Sequence, residues 1–325
     1  MSVTAPPVAP PPPPATVVPR RPTLQHRLEY VALRGAIGAL GLLPWRAATA
    51  VGAWLGRIGY APAGIRRDVV ERQIAACFPE LPIERVRAVA RASYESLGRT
   101  TIEAALVPKL GQGGVLELFA EVHGWEHVEA ARAAGRGAIV ITGHLGNWEI
   151  GGSYVAARGV PIDGIARGMA NPIFDGFLTR TRQRLGMRVV HDSEAVRRTP
   201  RTLTKENGVV AFVSDQGALG LASTYVPFFG RPAKTPRGPA VFALRLRVPM
   251  LFAVAIRRPD GRFALTFEPL ALVDTGDRER DVETMVADYT RRLEDWVRRH
   301  PEQYFWQHRR WRHQPPDTPP HLREP

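Results

Sequence analysis

His144 and Glu149 stand five residues apart just after an apolar run, in the stretch Ile139-Val140-Ile141-Thr142-Gly143-His144-Leu145-Gly146-Asn147-Trp148-Glu149. A buried strand that runs into glycine and histidine, with helical periodicity beginning at the carboxylate, sets both groups where open α/β sheets hold ligands, at the carboxyl ends of strands. Five residues on one continuous helix are ~500°, or ~140° net, so two helical positions would face apart. His144 therefore belongs to the turn and Glu149 to the first helical turns. The carboxylate is then expected to accept the Nδ1 proton, leaving Nε2 as a base near neutral pH. Gly143 and Gly146 allow backbone to approach a substrate, and the amides opening the helix offer a site for an oxyanion.

No covalent nucleophile accompanies the pair. There is no G-x-S-x-G elbow, Ser153 falls within the following helix, and Cys77 lies on an earlier helix without a nearby basic signature. Such a site suits direct attack by a substrate hydroxyl on an activated acyl donor. Two further strand ends point the same way. Arg167 follows Ile162–Ala166, where a guanidinium would clamp a phosphate bidentately, and Asp215 with Gln216 follows Val209–Ser214.

The elements that must carry these residues read as an α/β chain. Strands are expected at Ala138–Thr142, Ile162–Ala166, Met187–Val190, Val209–Val213, Met250–Ile256 and Phe263–Phe267, the last two joined as a hairpin by Pro259-Asp260-Gly261. Helices are expected at Trp148–Ala157, Pro172–Leu185, Glu194–Lys205, Pro239–Leu246 and Asp281–Arg299. Upstream, residues 66–107 carry helical periodicity broken at Pro79 and Pro82. Residues 27–60 hold two apolar runs, Gly35–Trp45 and Ala47–Gly56, parted by Pro44 and each shorter than the ~20 residues of a spanning helix. Trp45, Trp54 and Tyr60 suit an interfacial depth there. The domain plan is a proline-rich leader (1–22), a membrane-associated helical segment (23–65), an α/β domain (66–313) and a flexible tail (314–325).

Lys and Arg number 44 against 31 acids, a net charge of +13 that favours anionic partners. One cysteine excludes an intrachain disulfide and a thiolate zinc cage, so a reducing compartment is the natural reading. Two other patterns compete. His123-Gly124-Trp125-Glu126-His127 spells H-x-x-E-H, which in a helix binds zinc. Arg291, Arg292, Arg298, Arg299, Arg309, Arg310 and Arg312, interleaved with Trp296, Trp306 and Trp311, could line a nucleic-acid surface, but suit anionic lipid or an acidic carrier equally.

The G-H-L-G-N-W-E run, an H-x4-E box, resembles the catalytic motif of the secondary lipid A acyltransferases, the lauroyl and myristoyl transferases, and of their phosphatidylinositol mannoside acyltransferase relatives. The likeness continues through Ala166-Arg167 with Asn171-Pro172 and Asp175, through Ser214-Asp215-Gln216 and Val226-Pro227-Phe228-Phe229-Gly230, to Pro301-Glu302-Gln303-Tyr304-Phe305-Trp306. It covers roughly residues 25–313.

The resemblance implies a mixed, mostly parallel sheet flanked by helices, related to the glycerolipid acyltransferases, with membrane-associated helices at the N-terminus. It implies transfer of a fatty acyl chain from acyl carrier protein, or acyl-coenzyme A, to a hydroxyl of an anionic membrane lipid at the cytoplasmic face of the inner membrane. His144 would be the base and Glu149 its partner. Gly146, Asn147, Arg167, Asn171, Asp215 and Gln216 would meet substrate, Arg167 at the acceptor phosphate. Neither cofactor nor metal is expected, nor a nucleic-acid partner. The apolar faces of Tyr225–Phe229 and of residues 27–60 are the expected acyl groove.

Overall fold

In the computed structural model, which describes residues 23–168, 171–217 and 220–325, each of the short apolar runs becomes a strand. The proline-rich leader lies outside the described residues. Four helices come first: α1 (Leu24–Leu40), α2 (Trp45–Tyr60), α3 (Arg67–Cys77) and α4 (Ile83–Leu106). They are followed by α5 (Gly111–Glu117), β1 (Phe119–His123), α6 (Trp125–Ala133), β2 (Ala138–Thr142), α7 (Trp148–Ala157), β3 (Ile162–Ala166), α8 (Pro172–Arg184) and β4 (Met187–His191). The second half comprises α9 (Ala195–Thr204), β5 (Val209–Val213), β6 (Ser223–Phe228), β7 (Arg231–Pro236), α10 (Gly238–Leu246), β8 (Met250–Arg257), β9 (Phe263–Leu270) and α11 (Arg278–Arg299).

Seven strands form one sheet in the order β1-β9-β8-β2-β5-β3-β4, and β6 with β7 makes a separate antiparallel hairpin. Within the large sheet β8, β2, β5, β3 and β4 run parallel, while β9 turns back antiparallel on β8 through the Pro259–Gly261 turn. This is the expected mixed, mostly parallel α/β architecture. Alternation along β2 splits the core in two. Ile139 and Ile141 pack with α3, α4, α10 and α11, whereas Ala138 and Val140 face α6 and α7.

Three strands escaped the sequence reading, β1 and the two of the β6–β7 hairpin, as did the short helix α5. Phe119–His123 carries two charged or polar residues in five, and the hairpin strands contain Pro227, Pro232 and Pro236, which argue against a strand wherever the sheet is continuous. A two-stranded ribbon has free edges on which proline is tolerated.

Pro44 parts α1 from α2 as expected, and α2 lies against α4 at backbone distance. A Cβ on Gly98 would sit 2.0 Å from Gly52 O, and one on Gly56 would sit 2.0 Å from Tyr94 O. No helix among the described residues is long and apolar enough to cross a membrane. At the other end, residues 314–325, expected as a free tail, are tied down instead. Arg309 forks onto Glu324 (both contacts 2.6 Å), Arg231 donates to His321 O (2.9 Å), and Gln314 donates to Leu322 O (2.8 Å).

Candidate active site

Parallel pairing alone brings two of the singled-out residues together. Thr142 on β2 stands opposite Val213 on β5, so two residues further on His144 meets Asp215. The carboxylate takes both groups of the histidine that face it: Oδ1 lies 2.6 Å from Nδ1, and Oδ2 accepts from the His144 amide at 3.0 Å. Asp215 is 2% exposed and the imidazole 21%, so one partner is buried and the other reaches the surface of the cleft. Burial pushes the Asp215 carboxyl up, but the facing imidazole, its two hydrogen bonds and the buried Arg310 guanidinium outweigh that and hold it at about 2. An ionised carboxylate at Nδ1 fixes the proton there and leaves Nε2 free. Trp148 and Phe305 flank the ring, with centroids 4.6 and 5.8 Å away.

The expected partner was Glu149, and that expectation is corrected. Helix α7 begins at Trp148, which turns Glu149 away from the histidine and toward α8. There Arg182 forks onto it, Nε to Oε2 at 2.9 Å and Nη2 to Oε1 at 2.5 Å. Burial lowers the Arg182 pKa, but the Glu149 hydrogen bond and charge outweigh this and leave it raised. The site therefore holds two carboxylates with separate duties: Asp215 aims the imidazole, and Glu149 fixes a guanidinium.

The oxyanion site was expected at the amides that open α7, near Gly146; those of the turn just before it are already committed. Leu145 N donates to Gly143 O (2.8 Å), Gly146 N to Gln303 O (3.0 Å) and Asn147 N to Ala255 O (2.9 Å). In return His144 O accepts from Phe305 N (3.0 Å) and Gly146 O from Thr100 Oγ1 (3.1 Å). Gly146 has φ +63°, and a Cβ there would come within 2.1 Å of Ala255 O, so only glycine fits.

Asn147 is buried and structural too. Its Oδ1 caps α7 at the Ile150 amide (3.1 Å) and its Nδ2 donates to Glu103 (2.7 Å). Glu103 is in turn gripped by Arg257 at both carboxylate oxygens, one contact at 3.0 Å. Gln303 closes the ring, accepting from Arg257 N and donating to Arg257 O, each at 2.9 Å.

The remaining expected residues divide. Arg167 is exposed just beyond β3. Asn171, expected at substrate, caps α8 by accepting from Ile173 N (3.0 Å) and Phe174 N (3.3 Å), and its Nδ2 donates to Glu29 on α1 (3.0 Å). Gln216 is half-buried beside Asp215, with its Nε2 shut off from solvent and carrying no hydrogen bond among the described residues.

Beneath Trp148 and Glu149 an apolar slot opens between α7 and the sheet, about 750 Å³ in all when the open solvent at its mouth is counted. Small side chains make the room: Gly151 and Gly152 above, with Gly164, Ala211, Ala253 and Ala255 below. Thr142, Glu149 and Arg182 are its polar lining. The expected acyl groove lay elsewhere, but Val226, Phe228 and Phe229 are buried in the main core, filled by Trp306 and Trp311.

The zinc-like pattern does not form its helix. His123 ends β1 and Gly124 starts α6 in a left-handed conformation, so the two histidines are not one helical turn apart. In the arginine- and tryptophan-rich stretch Trp306 and Trp311 are buried, Trp296 donates to Glu268 (2.9 Å), and Arg291, Arg292 and Arg298 lie in ion pairs.

Arg182, Glu103, Arg257 and the Phe305 ring were missed as site residues. Arg182 is one arginine of three in Arg180-Thr181-Arg182-Gln183-Arg184, and no spacing within a strand or helix links it to Glu149, 33 residues away.

A carboxylate-aimed imidazole thus stands at the strand ends of a mostly parallel α/β sheet, and Trp148 beside it lines an apolar slot. The family model for bacterial lipid A biosynthesis acyltransferases matches residues 19–313, and the chain belongs to that family. It is an acyltransferase. It is 27% identical over 288 residues to the lipid A biosynthesis lauroyltransferase of Escherichia coli (strain K12), across 87% of this chain and 92% of the relative. It is 24% identical over 254 residues to the palmitoleoyltransferase of the same organism, across 77% and 80%. A phosphatidylinositol mannoside acyltransferase of Mycobacterium tuberculosis (strain ATCC 25618 / H37Rv) is 29% identical over 165 residues, about half of each chain.

Proposed function

We propose that the protein transfers a fatty acyl chain from a thioester, carried by acyl carrier protein or coenzyme A, to a hydroxyl of an anionic membrane glycolipid such as a lipid A precursor. The observation that carries this reading is the His144–Asp215 pair, whose imidazole packs against Trp148, a residue that lines the apolar slot. His144 Nε2 removes the acceptor proton as the oxygen attacks the thioester carbonyl, Asp215 stabilises the imidazolium, and the thiol leaves with the proton. The acyl chain lies in the slot. With the turn amides committed, Arg182 is the cation lining that slot and supplies positive charge beside the carbonyl, while Glu149 holds it in place. Arg167, exposed at the end of β3, meets the acceptor phosphate.

The bilayer surface is the proposed place of work, at the cytoplasmic face of the inner membrane. Leu24, Leu28, Val31, Leu42 and Trp54 are all more than half exposed along α1 and α2, and Arg27, Arg34, Arg46 and Arg57 stand among them. The mycobacterial relative supports a second acceptor, a phosphatidylinositol mannoside, for the same chemistry.

Lipid mass spectrometry of a host with and without the protein tests the reading. Loss of one acyl chain from a defined glycolipid, restored by the wild-type protein but not by His144→Ala, is the expected result. An unchanged lipid profile would refute it.

A further inference from the structure

We infer that Met187, seated under Gly152, is the stop that sets the length of the acyl chain the slot accepts; this rests on the reading of the slot as the acyl site. Strand register turns the slot into levels. Thr142 and Val213 stand side by side at the top, next to Trp148, Glu149 and Arg182. Two residues down, Val140, Ala211 and Gly164 form the middle level. Two further down, Ala138, Val209, Ile162 and Met187 share the lowest level, yet only Ile162 and Met187 line the slot. The slot therefore descends toward the β3–β4 corner and away from His144. With ~3.3 Å per strand residue, top to bottom is about 13 Å, a depth that a medium-length acyl chain fills.

At the corner α7 supplies the lid and Met187 the floor. A Cβ on Gly152 would lie 2.8 Å from Met187 Sδ, 3.6 Å from its Cε and 4.0 Å from Ile162 Cδ1. The thioether thus occupies the space that a larger residue on α7 would claim, with Ile162 beside it. Methionine is unbranched and rotates freely, so its terminal atoms are what the last methyl group of a chain meets. Removing them lengthens the slot, and pushing them upward shortens it. Gly151 differs: a Cβ there meets Ala255 Cβ at 3.3 Å, on the other side of the slot.

The test uses the full-length protein and saturated acyl-coenzyme A thioesters of graded chain length, read by thermal stabilisation, together with the chain lengths on the lipids of the expressing host. Affinity should rise with each methylene by about fourfold until the chain meets the floor, then level off. Met187→Ala should move that plateau about two methylenes longer and shift the transferred chains with it. Met187→Phe and Gly152→Ala should move both shorter, so the test survives if the cavity-forming variant fails to fold. Identical plateaus and identical transferred chains in the folded variants and the wild type would overturn the assignment of Met187 while leaving the acyl site standing. Absence of chain-length-dependent stabilisation in the wild type would overturn the acyl site itself, and the stop with it.

Discussion

The turn between β2 and α7 and the α1–α2 pair are both glycine-containing, yet they are built on opposite principles. In the turn, the amides of residues 144–147 and the carbonyls of His144 and Gly146 each have a partner: Gly143 within the turn for Leu145, and for the rest five other parts of the chain, Thr100, Asp215, Ala255, Gln303 and Phe305. On α1 and α2 the backbone is satisfied by the helices themselves, and while Ile37, Trp45 and Tyr60 pack inward, Leu24, Leu28, Val31 and Trp54 are left exposed. Rigidity goes where an imidazole must be aimed, and unspent hydrophobic surface goes where a second, apolar phase would cover it. If this contrast holds, substitutions in the turn should hurt activity or folding sharply, and substitutions on the exposed apolar face should hurt neither in solution.

The largest effect is expected at the dyad. His144→Ala should lower the acyl-transfer rate by ~10²–10⁴-fold, with a modest fall in melting temperature because the buried Asp215 carboxylate loses its facing imidazole and keeps only the backbone amide and Arg310. Asp215→Asn should approach the same loss, since an amide can present its NH₂ to Nδ1 and favour the wrong tautomer. Glu149→Gln should act differently, freeing Arg182 and raising the KM for the thioester more than it changes the pH profile. A pH profile shifted by Glu149→Gln and untouched by Asp215→Asn would reverse the roles assigned to the two carboxylates.

Next in size is the buried support under the turn. Glu103 and Arg257 are 2% and 10% exposed, and Asn147, Thr100 and Gln303 depend on them. Glu103→Ala leaves the Arg257 charge buried without its partner, a loss of about 3–5 kcal/mol in unfolding free energy by denaturant titration. Replacing both with apolar residues of similar volume should recover much of that, which would show that the charge and not the packing is at stake.

Acid should reach the site in two stages. Burial drops the His308 pKa to about 4, with Arg310, Arg66 and His144 opposing its protonation and Asp215 favouring it. A histidine whose folded value lies below the unfolded one keeps its contribution above pH ~6.5. The unfolded chain binds the proton first, so stability falls as pH drops through the window from ~6.5 to ~4, by about 3 kcal/mol in all. Asp215, depressed to about 2, adds a further loss of about 2 kcal/mol below pH ~4. His308→Gln should flatten the upper window alone in urea titrations across pH. A slope in that window unaltered by the substitution would remove His308 from the account.

How much of this was legible follows the range of the interaction. The strands at 138–142, 162–166 and 209–213 and the helix at 148–157 came straight from hydrophobic period, because those signals are local. His144 was legible for the same reason, standing at a strand end. Its partner was not, although Asp215 was singled out. The choice between Asp215 and Glu149 depends on which strands pair, and β2 beside β5 with β3 outside is a crossover that no local pattern encodes. Gly146 and Asn147 were singled out for substrate, whereas the fold uses both to build the turn. The sequence shows that a turn needs glycine, not that Gln303 and Ala255 have already taken its amides. The slot was invisible because it is made of absences, glycines and alanines on three strands and a helix that meet only in the fold.

The smallest effect in solution tests the other half of the contrast. Leu42 is 86% exposed at the α1–α2 corner and Trp54 is 57% exposed on α2. Neither is a packing residue, so Leu42→Ser with Trp54→Ser should change unfolding free energy by no more than about 0.5 kcal/mol. Against vesicles rich in anionic lipid, the same double substitution should weaken partitioning by about 2–4 kcal/mol, since each side chain then fails to leave water. Sedimentation with vesicles at two ionic strengths separates the contributions, because salt weakens attraction through Arg27, Arg34, Arg46 and Arg57 but leaves the apolar part in place. A large loss of stability with unchanged vesicle binding would show that α1 and α2 are ordinary packing helices, and the contrast with the catalytic turn would fall.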